Sequence, residues 1–458
     1  MSSHKKTYIA GLLLLLLILL GNLAFAKGTT EQLKTSSSST EVVFWHSSSG
    51  LAGDAMTTLI NEFNNTVGAA QGIVVREIYQ GKPADVATKL RATMQGGRST
   101  DLPNIAQLDA SGVIDIRDSQ YLIPINELDE ADETFSIDEL QPGAVLSTTY
   151  KGKVLGMPFN SSTIVLYYNK DAFFEAGLDS PPETLAELAD YAKALVKKTP
   201  DGKNIERYGF GGVPTTYELV SWIGQQNGLS YLTDNANGHE GNPTKVVFDE
   251  NGTLATFLDE WRKVYQSGGL INLTANVRQE FAAGKIAMHA ASTSGLSTLL
   301  ASIDGRFELG VGFFPKVNEQ ATGGVNVGGG ALFMFDTGSL DEREATWKFL
   351  TYLMNSESQF VWHKATGYFP VNMGTYRLPE FVHHLEQNPL FAVAIEQLNA
   401  SNPDLLSVWW PNSYQAYYEI QNQIIEMLEK NLDTQKTVDS ISSTINRYIE
   451  DYNRMNKE

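Results

Sequence analysis

Three short apolar runs at Val42–Trp45, Ile73–Tyr79 and Asn104–Leu108 are separated by two stretches with helical spacing. This alternation constrains the fold more than any other feature of the chain. Met56, Leu59, Ile60 and Phe63 mark one helical face, and a second helix is expected over about Asp85–Gln95. A β-α-β-α-β order predicts a parallel sheet whose crossovers place helices on its faces. In such sheets ligands sit beyond the carboxyl ends of the strands, which directs attention to His46, Ser47 and Asp109.

The chain has 458 residues, too many for one compact core and enough for two lobes. Lys5 and Lys6 precede an apolar run from Ile9 to Leu20, and Ala24-Phe25-Ala26 matches a cleavage pattern. Residues 1–26 are therefore expected to be an export signal, and 27–40 a Ser-rich spacer. An exported, periplasmic or extracellular protein is implied, tethered to the membrane if the leader is retained. The absence of cysteine excludes disulfides and a lipid-modified N-terminal Cys. A net charge of −19 disfavours nucleic acid and anionic membranes as partners.

Signatures of catalysis are scarce. Gly323-Gly324 and Gly328-Gly329-Gly330 lack the Gly-Lys-Ser/Thr of a phosphate loop, and there is no Gly-x-Ser-x-Gly elbow. The seven histidines include His383-His384 but no His-Glu-x-x-His, and Glu130, Asp132 and Glu133 do not fit a calcium loop. No cofactor, metal or enzymatic activity is expected. Recognition of a polar solute needs hydroxyl, amide and carboxylate partners together with flat aromatic walls. Asp109 ends a strand. Asn160, Ser161 and Ser162 sit in a polar crossing, and Ser292 and Ser294 sit in a second one. Gly329 leaves backbone N–H groups open to approach. Tyr217, Trp222, Tyr368, Trp409 and Trp410 are the candidate walls.

Residues 158–177 contain a polar segment, a buried strand at Ile164–Tyr168, a helix capped by Asn169 over Lys170–Ala176, and a terminating Gly177. This stretch resembles the point where extracellular solute-binding proteins (family 1) of ABC importers pass from lobe to lobe. The resemblance runs from Phe44-Trp45-His46-Ser47 to Thr366-Gly367-Tyr368-Phe369-Pro370. It implies a two-lobe α/β clamshell of the periplasmic-binding-protein type (type II). The expected divisions are 41–158 and 290–355 for the first lobe, with 159–289 and 356–458 for the second. Phe307–Phe314 and Ala331–Phe335 are accordingly expected as first-lobe strands, and Ala290–Gly295 as the return crossing.

The implied function is capture of a sugar, oligosaccharide or polyol by a monomer that delivers it to permease and ATPase subunits on separate chains. Glycerol 3-phosphate or a glycerophosphodiester is the alternative cargo, and a secreted enzyme acting on sugars or phosphodiesters the alternative class. In the glycerol-phosphate binders of the family, ligand groups match Asp109, Ser161-Ser162, the Ser292–Ser294 region, Gly329 and Tyr368. Two positions depart from that pattern. Pro83 stands where those binders have a ligand tyrosine, and Trp409 stands at or near their phosphate-binding arginine. Loss of that guanidinium favours a neutral sugar or a larger ester.

Overall fold

The computed structural model describes residues 39–456, so the expected export signal and most of the spacer lie outside the described residues. From Thr40 the chain forms β1 (Thr40–His46), α1 (Leu51–Phe63), β2 (Ile73–Tyr79), α2 (Pro83–Gln95), β3 (Ile105–Asp109), β4 (Leu122–Ile123) and β5 (Met157–Ser162). It then forms β6 (Ile164–Asn169), α3 (Lys170–Ala176), β7 (Ile205–Gly211), α4 (Thr216–Gly224), α5 (Thr253–Gln266), β8 (Leu270–Ile271), β9 (Ile286–Ser292) and β10 (Leu309–Gly312). Last come β11 (Gly328–Phe335), α6 (Leu340–Met354), α7 (Ser356–Thr366), α8 (Ser413–Glu429) and α9 (Thr434–Met455).

Two sheets result. The first has the order β2-β1-β3-β11-β4, with β5 paired to β11; β1 is parallel to β2 and β3, as the alternation predicts. The second has the order β8-β7-β9-β6-β10, in which β7 is parallel to β8 and β9 while β6 is antiparallel to β9 and β10. The start of the second lobe reflects local chemistry closely. Asn169 accepts the Ala172 N–H at 3.0 Å, α3 follows, and Gly177 ends it at φ 70°, where a side chain would be strained.

The return path differs from expectation. Leu309–Gly312 pairs with β6 in the second sheet, not with the first lobe. The helix before it buries Leu296, Leu299 and Ile303 with Tyr167 and Phe281 of the second lobe. The chain re-enters the first sheet only at β11. Ala290–Gly295 touches the crossing without making it: Thr293 N donates to Thr163 O at 2.9 Å, and Thr163 Oγ1 donates to Asn326 O at 3.2 Å. An apolar run followed by Gly reads as a strand in either lobe, and only its pairing decides which. Residues 356–366 also lie in the first lobe, because α7 packs on α1. The last two helices do pack on the second lobe, against α5. Val438, Ile441, Ile445 and Ile449 form the buried stripe of α9, each contributing roughly 1.5–3 kcal/mol by leaving water.

Candidate functional site

The site begins at the carboxyl end of β3. Gln107 and Asp109 are two residues apart on one strand and share a face. Gln107 Oε1 accepts from Ser47 N at 3.0 Å and from Ser48 Oγ at 3.2 Å, which fixes the loop after β1. Asp109 accepts the Ser111 N–H at 3.0 Å and so starts a short helical turn. Burial pushes its carboxyl above the ordinary range, against the hydrogen bonds from Tyr414 and the backbone, which favour the charged form.

The opposing wall comes from the second lobe. Thr215 and Glu218 form a capping box, with Thr215 Oγ1 2.6 Å from Glu218 Oε2, so Tyr217 lies in the first turn of α4. Its hydroxyl accepts the Gly329 N–H at 2.6 Å, and burial raises its pKa. Tyr414 and Tyr417, three residues apart on α8, share a face. Tyr414 Oη donates to Asp109 Oδ1 at 2.9 Å. Gly329 adopts φ 100°, and a Cβ there would lie 1.9 Å from Asn160 O, so only glycine fits this close approach of β5 and β11.

Asp109 and Gly329 border two compartments, of about 300 Å³ and about 270 Å³. The first has Tyr217, Tyr414 and Tyr417 as aromatic walls; the second is lined by Ser47–Ser49, Pro83, Asn160 and Tyr368. A small recess of about 20 Å³ holds Ser161. None of the residues lining these spaces is Lys, Arg or His. Hydroxyls, amides and one carboxylate with tyrosine faces can bind a polar solute and orient it.

The structure thus brings together Ser47, Asp109, Asn160, Ser161, Tyr217, Gly329 and Tyr368. Other candidates lie elsewhere. His46 is buried with Nε2 3.3 Å from Glu77 Oε2, and burial lowers its pKa. Ser162 is buried beside the Tyr217 hydroxyl and lines none of the three spaces. Ser292 Oγ lies 2.9 Å from Ser294 Oγ, and neither lines the three spaces. Trp222 stacks on Phe257 in the second-lobe core and donates to Pro315 O at 2.9 Å. Trp409 and Trp410, expected as cleft walls, are 0% exposed. Trp409 stacks on His239 at 3.8 Å, and Trp410 lies 5.4 Å from Tyr417, backing a wall that it does not form. Gln107, Tyr414 and Tyr417 were missed by sequence reasoning. The position of Gln107 two residues before Asp109 was a usable signal, whereas tyrosines on an amphipathic helix resemble core.

Two α/β lobes with a polar, tyrosine-walled cavity between them define a clamshell solute-binding protein. The chain belongs to the bacterial extracellular solute-binding protein family, whose profile matches residues 58–393. It is 29% identical over 369 residues to the sn-glycerol-3-phosphate-binding periplasmic protein UgpB of Salmonella typhimurium, covering 78% of this chain and 80% of that one. UgpB from Mycobacterium tuberculosis, solved in complex with glycerophosphocholine, superposes with a TM-score of 0.73 at 22% identity, covering 90% of this chain and 98% of that one. The sugar-binding protein MalE from Xanthomonas citri superposes at 0.74 with 19% identity, covering 92% and 100%. At those identities the two structures speak to the fold alone. Among the described residues, no helix is long and apolar enough to cross a membrane.

Proposed function

We propose that this substrate-binding component of an ABC importer captures a neutral polyhydroxylated solute, a sugar, oligosaccharide or polyol, between its lobes. The observation that carries this reading is the lining: a carboxylate, amides and hydroxyls, walled by tyrosines and free of cationic side chains. Asp109 accepts paired hydroxyls, and the tyrosine faces take the C–H faces of the ring. Solute that touches both lobes binds the closed form better than the open one and shifts the population toward closure. The permease and ATPase, on separate chains, then read the closed surface. The chain acts as a monomer and leaves its cargo chemically unchanged.

A second reading has one observation in its favour. A carboxylate among tyrosines also suits a quaternary ammonium, so a choline-bearing glycerophosphodiester is the rival cargo. Calorimetry of the full chain against neutral mono- and oligosaccharides, glycerol 3-phosphate and glycerophosphocholine separates the readings. A neutral sugar or polyol binds tightest if the proposal holds, and tightest binding of either phosphate ester overturns it. Chromatography of the recovered sugar, intact after incubation with stoichiometric protein, tests the absence of turnover.

A further inference from the structure

Arg278 lacks the partners that hold several other arginines of the fold, and it lines a cavity. Arg207 pairs with Glu175 at 3.1 Å, Arg117 donates to Gly238 O at 2.8 Å, and Arg306 donates to Ser302 O at 2.6 Å. The Arg278 guanidinium, half-buried, has neither a carboxylate nor a hydrogen-bond acceptor among the described residues. A Cβ on Gly295 would fall 2.3 Å from its Nη2, so the guanidinium rests against that stretch of backbone. Such a group retains its five N–H donors for a partner that the chain does not supply.

The side chain borders a cavity of about 330 Å³ at the carboxyl ends of β7 and β9, where Gly211–Thr215, Ala290 and Ala291 form the rim. The N-terminus of α4 divides this cavity from the tyrosine-walled cleft, with Tyr217 facing the cleft and Glu218 facing the cavity. No other Lys or Arg lines it. His289 is held neutral by burial and by Arg278 itself, its pKa pulled down to about 3. Glu218 is the one carboxyl there; it is turned to Thr215, and burial favours its protonated form. An unpaired guanidinium at the edge of a cavity is complementary to an oxyanion, which it can grip through two parallel N–H bonds.

We propose that this second-lobe cavity is an oxyanion-binding site, separate from the solute cleft, in which Arg278 holds a phosphate or carboxylate group. The site does not depend on which solute occupies the cleft. Two sources share this chemistry: free inorganic phosphate and the acidic group of a small organic ester. Inorganic phosphate and glycerol 3-phosphate are therefore titrated in separate arms into the full chain, followed by calorimetry and melting temperature. Both bind if any small oxyanion suffices, and binding of the ester alone identifies an organic ligand; the variants then show whether the response arises in this cavity or in the cleft. Arg278→Gln then weakens the responding anion by at least about tenfold, while Arg278→Lys retains part of the response and controls for folding. Tyr217→Phe, which alters the cleft, leaves the anion response in place. Unchanged affinity in Arg278→Gln, loss of the response in Tyr217→Phe, or no response to either anion in the wild type overturns the proposal.

Discussion

Tyr217 and Gly329 join the two lobes directly, the tyrosine hydroxyl accepting the glycine N–H at 2.6 Å. The neighbouring residue makes this contact testable. A Cβ on Gly328 would lie 1.6 Å from Cε1 of the same ring, and the nearest atoms it meets all belong to Tyr217. Gly328→Ala should therefore clash in the closed form while sparing both lobe cores. Calorimetry should show solute affinity reduced by at least about tenfold, with the unliganded melting temperature little changed. Unchanged affinity would mean that closure does not bring Tyr217 onto this strand.

Asp109→Asn keeps the shape of the acceptor but removes its charge. Solute affinity should fall by roughly 1.5–3 kcal/mol, with the fold intact. The wild type should also bind more weakly as pH falls through the raised pKa of Asp109, because hydroxyl donors favour the carboxylate. The Asn variant should lose that dependence. Titration calorimetry at several pH values checks both outcomes.

Acid should destabilise the protein through buried histidines. His239 touches Thr149 O and Ser407 O, each at 2.9 Å, yet burial pulls its pKa down to about 4; that of His363 is also pulled down to about 4. The folded state thus favours the neutral ring. Its stability contribution is complete above the unfolded value of 6.5 and is lost as pH falls from there toward about 4. The loss is on the order of 3 kcal/mol for His239, and His239→Gln should flatten the urea-unfolding profile over that interval.

The strands and caps were legible where local chemistry decides them. Ile73–Tyr79 forms β2 over the expected residues, and Asn169 and Gly177 bracket α3 as their side chains dictate. Lobe membership was not legible for Leu309–Gly312, because an apolar run carries no record of its partner. In the site, Asp109 was readable as the polar residue that ends a buried strand. Trp409 and Trp410 misled because an aromatic pair outside any helical stripe looks like a wall. A loop can instead be folded into the core, and here Trp409 N donates to Asn237 O at 2.8 Å beneath the surface.

That burial changes the expected effect of replacing Trp409. Trp409→Ala should lower unfolding stability by roughly 3–5 kcal/mol in chemical denaturation, as loss of a packed core indole does. A variant that lost solute affinity at full stability would return Trp409 to the cleft.

Small-angle scattering of the full chain, with and without the tightest-binding neutral sugar, tests capture between the lobes most directly. Asp109 on one lobe and Tyr217 on the other line one space, and a solute that touches both favours the shut cleft. The radius of gyration should fall on saturation, and Gly328→Ala should abolish or greatly reduce the change. Saturation of the wild type by a tightly bound sugar with no change in the scattering curve would contradict closure around the solute.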